Sequence, residues 1–259
     1  MPRIAYLSHR TPLHLRSGDN HKTLLCILHW TFLPVFLSIS GLASAQPLWP
    51  PSDQISGLTL SLSGIKNGLE GDFNNRDTLS TSDELINLPD VQDGNGYEIG
   101  VGYRWYQNEF EFSYAQSKHD ATVYSDMEQA NVSSQARYKL FNFDYRYFFP
   151  LKPIEPLFLI GFVPYASVTT SNSSEDLITG AGGDATFKGA GFNLGGGLSY
   201  NIPYPNWALA LELDAYYRWV SFDRASGVVG VEREIDNPVD GSAMNYRARI
   251  SVIFRQRYY

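Results

Sequence analysis

Positions 208–219 (ALALELDAYYRW) separate cleanly with a period of two. Leu209, Leu211, Leu213, Ala215, Tyr217 and Trp219 fall on one face, and Glu212, Asp214 and Arg218 fall on the other. Successive side chains of a strand point to opposite sides of the sheet, so the pattern predicts a strand. Any half-solvated antiparallel sheet alternates in this way, and a single segment therefore says little. Recurrence makes it informative. After residue 46 the chain shows neither a convincing helical period nor a helix-length apolar run, only short alternating segments between turn-rich stretches.

Eight strands are predicted. The first covers about 57–64 (Leu58, Leu60 and Leu62 against Thr59, Ser61 and Ser63), and the second about 96–105 (Tyr97, Ile99, Val101, Tyr103 and Trp105 against Glu98, Gly100, Gly102 and Arg104). The third covers about 109–118 (Phe110, Phe112 and Tyr114 against Glu111, Ser113 and Ala115). The fourth covers about 134–149 (Phe141, Phe143, Tyr145 and Tyr147 against Asn142, Asp144 and Arg146). The fifth, about 156–168, is apolar on both faces, with Leu157, Leu159 and Gly161 opposite Phe158, Ile160 and Phe162. The sixth is about 188–200, the seventh is the opening segment, and the eighth is about 244–258.

The connections alternate in length. Those at 106–108, 150–155 and 201–206 are tight, and those at about 65–95, 119–133, 169–187 and 220–243 are longer. Bacterial outer-membrane barrels have this rhythm, with short periplasmic turns and long extracellular loops. Aromatics cluster at the tight-turn end: Trp105, Tyr106 and Phe110, then Tyr147, Phe148 and Phe149, then Tyr204 and Trp207, with Trp49 before the first strand and Tyr258 and Tyr259 at the terminus. Amphipathic rings favour the headgroup boundary, so this end is expected to carry an interfacial girdle.

Residues 23–42 form the only long apolar run; Arg3, Arg10, Arg16 and Lys22 precede it and Ala43-Ser44-Ala45 follows. A basic region, an apolar core and an A-x-A site describe a secretory signal peptide over 1–45, cleaved before Gln46. An uncleaved anchor is the rival reading, since the run is about long enough to span a bilayer. A lipoprotein signal is excluded by the bulky Leu25 before Cys26. The expected organisation is this leader, a short lead-in at 46–56 and a barrel domain at 57–259. Cleavage removes the only cysteine and leaves one histidine, His119. It also removes four bases and one acid (Asp19), taking the formal charge from −7 to −10. An exported chain of this size without a disulfide needs another source of stability, which a closed membrane barrel supplies. The acidity, with no basic stripe, argues against nucleic acid as a partner.

The segments GYEIGVGYR (96–104), FDYRYFFP (143–150) and GFNLGGGLSY (191–200), with 208–219 and the aromatic C-terminus, resemble the small outer-membrane β-barrel family that includes opacity proteins and the membrane domain of outer membrane protein A. The resemblance covers roughly 55–259. It implies an all-β, eight-stranded antiparallel up-and-down barrel in the outer membrane of a Gram-negative bacterium. It further implies outer-membrane lipid and lipopolysaccharide as surroundings, insertion by the barrel-assembly machinery through the C-terminal strand, and a monomer. Tyr258 is in phase with Phe254, Val252 and Ile250, as the family's terminal signal favours, whereas Tyr259 is out of phase.

If the apolar faces meet lipid, the charges face inward: Glu98, Glu111, Asp144, Glu212 and Asp214 against Arg104, Arg146, Arg218, Arg247, Arg249 and Arg255. Such a nearly balanced set in a narrow barrel reads as a salt-bridged plug, because buried charges need partners and an eight-stranded interior is only wide enough to be filled by side chains. Inward Gly100, Gly102, Gly195 and Gly197 are expected to make room for arginine side chains. The alternative to a scaffold is a narrow porin or carrier, for which only the fifth strand offers inward apolar surface. A lipid-modifying enzyme would have to use His119 at the outer end of the third strand, with Ser117 on the same face and Asp120 adjacent, and that face is turned away from lipid. No catalytic residue, cofactor or metal is assigned. The acidic loop 65–95 lacks the spacing of a calcium loop and is expected to be solvated.

Overall fold

In the computed structural model, the residues described are 55–74, 78–80, 84–125, 130–178 and 181–255. The leader, Trp49, Tyr258 and Tyr259 lie outside them. The strands are β1 (Ser56–Asn67), β2 (Thr78–Ser80), β3 (Glu84–Asn87), β4 (Asp90–Val91), β5 (Gly94–Trp105), β6 (Asn108–Ser125), β7 (Ala130–Phe148), β8 (Ile154–Asp176), β9 (Gly182–Pro203), β10 (Trp207–Ser226), β11 (Arg233–Asp240) and β12 (Ala243–Arg255).

Every ring pairing is antiparallel, and the ring closes. β1 pairs with β5 on one side and with β12 on the other, and β5 to β10 pair in sequence order before β10 meets β12. Eight strands thus form an up-and-down barrel, and closure leaves no edge in the hydrocarbon, where an unpaired backbone group is too costly to keep. β11 continues the line of β12 above a break at Gly241 and Ser242 and pairs with the upper part of β10.

The alternation in 208–219 is resolved as two faces of the wall. Leu211, Leu213 and Tyr217 are exposed on the outside, while Glu212, Asp214 and Arg218 are buried. The outward apolar band continues around the ring through Leu60 and Leu62, Ile99 and Val101, Phe110 and Phe112, Phe158 and Ile160, and Ile250 and Phe254. On β8, Phe158, Ile160 and Phe162 face out, while Leu157, Leu159, Gly161 and Val163 are buried.

Two expectations are corrected. The predicted loops at 119–133, 169–187 and 220–243 are mostly strand, because β6 to β10 run well past the membrane band. Aromatics also gather at both ends of the band. A second girdle near the extracellular boundary contains Tyr114, Phe141 and Tyr165, with ring centroids 5.3 and 6.1 Å apart in sequence around the wall. Phe192 and Trp219 stack at 4.8 Å in the same girdle. At the tight-turn end Trp105, Tyr106, Tyr204 and Trp207 are exposed, and Tyr204 stacks on Trp207 at 4.0 Å.

Candidate functional site

The lumen holds the chemistry, and it has three levels. At the periplasmic mouth, Arg104 is buried. Its guanidinium lies over the Phe148 ring at 3.8 Å and donates to Glu155 at 2.6 Å, to Asn201 Oδ1 at 3.3 Å and to the Tyr106 carbonyl at 3.1 Å. Phe148 therefore closes the mouth instead of anchoring at the membrane interface: its parity on β7 is that of Arg146, and it is buried with Leu157, Leu159 and Tyr216. Phe149, beyond the end of β7, is half-buried and sets its ring edge-on to Tyr147 at 5.1 Å.

The middle level, inside the apolar band, is ionic. Arg146 bridges Glu109 at 2.9 Å and Glu111 at 3.0 Å, with Asp144 at 3.5 Å. Arg249 reaches across from β12 to Glu109 at 2.7 Å, to Glu212 at 2.9 Å and to Glu111. Arg247 joins Glu98 at 2.5 Å, Asp214 at 2.7 Å and Asp144 at 3.3 Å. Neutral groups complete the shell: Ser61 donates to Glu111, Asn142 to Glu98 and Asn193 to Asp144. Arg218 donates through Nε to Asn193 Oδ1 at 2.9 Å and through Nη2 to the Tyr216 hydroxyl at 3.2 Å.

Several assignments shift. Glu109, which lies at the turn boundary and shares the parity of Glu111, belongs to the network although the sequence reading passed over it. Arg104 pairs off at the mouth. Arg255, at the rim, is half-buried with an unpartnered Nε, and stands outside the network. The middle level thus sets Glu98, Glu109, Glu111, Asp144, Glu212 and Asp214 against Arg146, Arg218, Arg247 and Arg249, an acid excess where near balance was expected. The glycines also make room for acids and an aromatic more than for guanidinium groups. A Cβ on Gly161 would lie 2.0 Å from Asp144 Oδ1, and one on Gly100 would lie 2.7 Å from the Glu111 carboxyl carbon.

The upper level is apolar and lies above the second girdle. Leu69, Phe73, Ile86, Leu88 and Val91, all from the segment between β1 and β5, cluster with Tyr138, Val168, Phe187, Val220 and Phe222 of the wall. Phe73 is fully buried and meets Phe187 and Phe222 edge-on, each at 5.4 Å. The segment expected to be a solvated loop therefore plugs the barrel. Its strands dock on the wall, β4 on β6 and β3 on β8.

Ser117 and His119 meet between the ionic and apolar levels. Ser117 Oγ lies 2.9 Å from His119 Nε2, and His119 Nδ1 lies 2.9 Å from the Gln92 carbonyl. A carbonyl only accepts, so Nδ1 carries the proton and Nε2 accepts from Ser117, whose oxygen in turn accepts from Asn67 Nδ2 at 3.1 Å. Both side chains are buried, while Asp120 faces outward. Among the described residues no group of three or more His, Cys, Asp or Glu side chains is placed to hold a metal ion.

A closed antiparallel ring with an apolar outside, a charged inside and aromatic girdles matches one family description. The model of the outer membrane protein beta-barrel domain covers residues 35–248. This chain belongs to that family. It sits in the bacterial outer membrane, which it crosses with strands. Among solved structures, it is similar to Neisserial surface protein A (16% identity, TM-score 0.39, 79% of this chain and 100% of that one). It is also similar to the attachment invasion locus protein of Yersinia pestis in complex with a heparin analogue (12% identity, TM-score 0.38, 78% and 99%). A major outer membrane protein from Thermus thermophilus is similar too (13% identity, TM-score 0.44, 77% and 99%). A comparison with curated protein sequences returns no match.

Proposed function

We propose that this barrel works as a closed, non-enzymatic scaffold that holds a rigid β-structure above the outer-membrane surface. One observation carries the reading: side chains occupy the lumen at every level, with Phe148 and Arg104 at the mouth, the ionic network in the membrane and the Phe73 plug above it. A narrow porin needs a continuous path, and a barrel of eight strands has little width to spare once its interior is filled. Ser117 and His119 are read as structural, since their hydrogen bonds are taken up by Asn67 and the Gln92 carbonyl and neither reaches the lipid-facing wall.

Release of a small sugar from sealed proteoliposomes tests the closed lumen. The expected rate equals that of protein-free vesicles, and faster release makes the barrel a pore. In cells, His119→Ala is expected to leave the acyl pattern of outer-membrane lipid unchanged; an altered pattern would return Ser117 and His119 to catalysis.

A further inference from the structure

The outer wall carries a row of cations along one line of paired residues. On four adjacent strands the outward apolar run ends together: after Leu62 and Gly64 on β1 comes Lys66, after Tyr97 on β5 comes Asn95, after Tyr114 and Gln116 on β6 comes Lys118, and after Phe141 on β7 come Lys139 and Arg137. The register makes them neighbours. Lys66 pairs with Asn95, Asn95 with Lys118, and Lys118 with Arg137. The row spans three strand spacings, roughly 14 Å. All four cations are exposed.

Lys118 and Arg137 stand directly opposite each other, an arrangement that repels unless an anion lies between them. Among the described residues no carboxylate lies within 4 Å of Lys118, Arg137 or Lys139. Lys66 is paired with Asp93 at 3.0 Å, and the next outward position beyond Lys118 is Asp120. Among the described residues, Lys118, Arg137 and Lys139 thus have no carboxylate in ion-pair reach, and they sit where the apolar band gives way to polar surface.

A second feature adjoins the row at Lys66 and Asn95. A groove of about 690 Å³ crosses the lipid-facing wall from β5 to β9. Its floor is Gly64, Ala248, Ala215 and Gly196, at outward positions that elsewhere carry leucine or an aromatic, with Leu213 and Tyr246 as walls. A Cβ on Gly64 would meet nothing within 4 Å.

We infer that this face is a binding site for a phosphorylated glycolipid of the outer leaflet, with its phosphates on Lys118, Arg137 and Lys139 and an acyl chain in the groove below Lys66. Lysine and arginine form charge-assisted hydrogen bonds to phosphate, and cations at the membrane surface draw anionic headgroups. A membrane source fits better than a soluble polyanion because the cations end the lipid-facing wall and the groove lies within it. The site is independent of whether the lumen conducts, so it can fail without touching the closed-scaffold reading.

The test uses the mature chain in neutral detergent, with bisphosphorylated lipid A, its dephosphorylated form and soluble inositol hexaphosphate as probes. The wild type is expected to hold bisphosphorylated lipid A at least tenfold more tightly than the dephosphorylated form, with the preference falling as salt is raised. Lys118→Gln, Arg137→Gln and Lys139→Gln together should abolish that preference. Gly64→Trp, which fills the groove, should weaken both lipids several-fold. A heat-shifted gel band checks folding, and Lys118→Gln alone carries the test if the triple variant does not fold. Equal binding of the two lipids, an unchanged preference in the variant, or displacement by inositol hexaphosphate as effective as by lipid A overturns the site.

Discussion

Within the membrane this barrel faces leucine and phenylalanine outward and encloses arginine and glutamate; above the membrane the same strands enclose phenylalanine and valine and face polar side chains outward. β10 shows both regimes on one strand. Leu211, Leu213 and Trp219 point out below, Ser221 and Asp223 point out above, and the inward line passes from Glu212, Asp214 and Arg218 to Val220 and Phe222. The backbone ladder runs on with one irregularity, between Phe222 and Arg224. What changes is the solvent outside. Lipid rewards an apolar exterior and leaves the polar residues to pair inside, whereas water rewards an apolar interior, as in any soluble barrel. Inside and outside are therefore local properties of a strand at a given height.

Substitutions can break this contrast in order of expected effect. Arg249→Ala leaves Glu212 without its cation and Glu109 and Glu111 with Arg146 alone, and removing one partner of such a buried pair costs about 4 kcal/mol. Denaturant unfolding in vesicles measures it. Phe73→Ala empties the centre of the upper plug at a cost of about 3 kcal/mol. It should open the 68–93 segment to protease while the membrane-level ion pairs hold. Gly161→Leu drives a side chain into the Asp144 carboxylate and costs about 2 kcal/mol, read as a lower temperature for the heat-modifiable gel shift. Lys66→Gln breaks only an exposed ion pair and should change stability by less than about 1 kcal/mol. Equal losses for Arg249→Ala and Lys66→Gln would mean that the inner network carries no more weight than a surface pair.

The parity of the apolar positions was enough to place Glu98, Asp144, Arg146, Glu212, Asp214, Arg247 and Arg249 on the buried face, because lipid enforces the alternation across the band. The same parity also applied to Glu109 and Phe148, but both lie beside tight turns, where a strand's end cannot be read from pattern alone. The extracellular half was hidden by the inversion itself. Along 220–243 the apolar positions change phase, so a reader following one phase sees the strand stop. Which arginine meets which acid was beyond the sequence, since Arg249 reaches Glu109 across the lumen, 140 positions away in the chain. The plug was similarly obscured, because Leu69, Phe73, Ile86 and Leu88 have no regular spacing and are interspersed with acids.

Single-channel recording in a planar bilayer tests the sealed three-level lumen most directly. The wild-type barrel should insert without producing current steps. Phe73→Ala, Arg146→Ala, Phe148→Ala and Arg249→Ala combined, which thin all three levels, should open a small pore that favours cations, since the acids left behind line it. Steady wild-type steps as large as those of the combined variant would contradict the account.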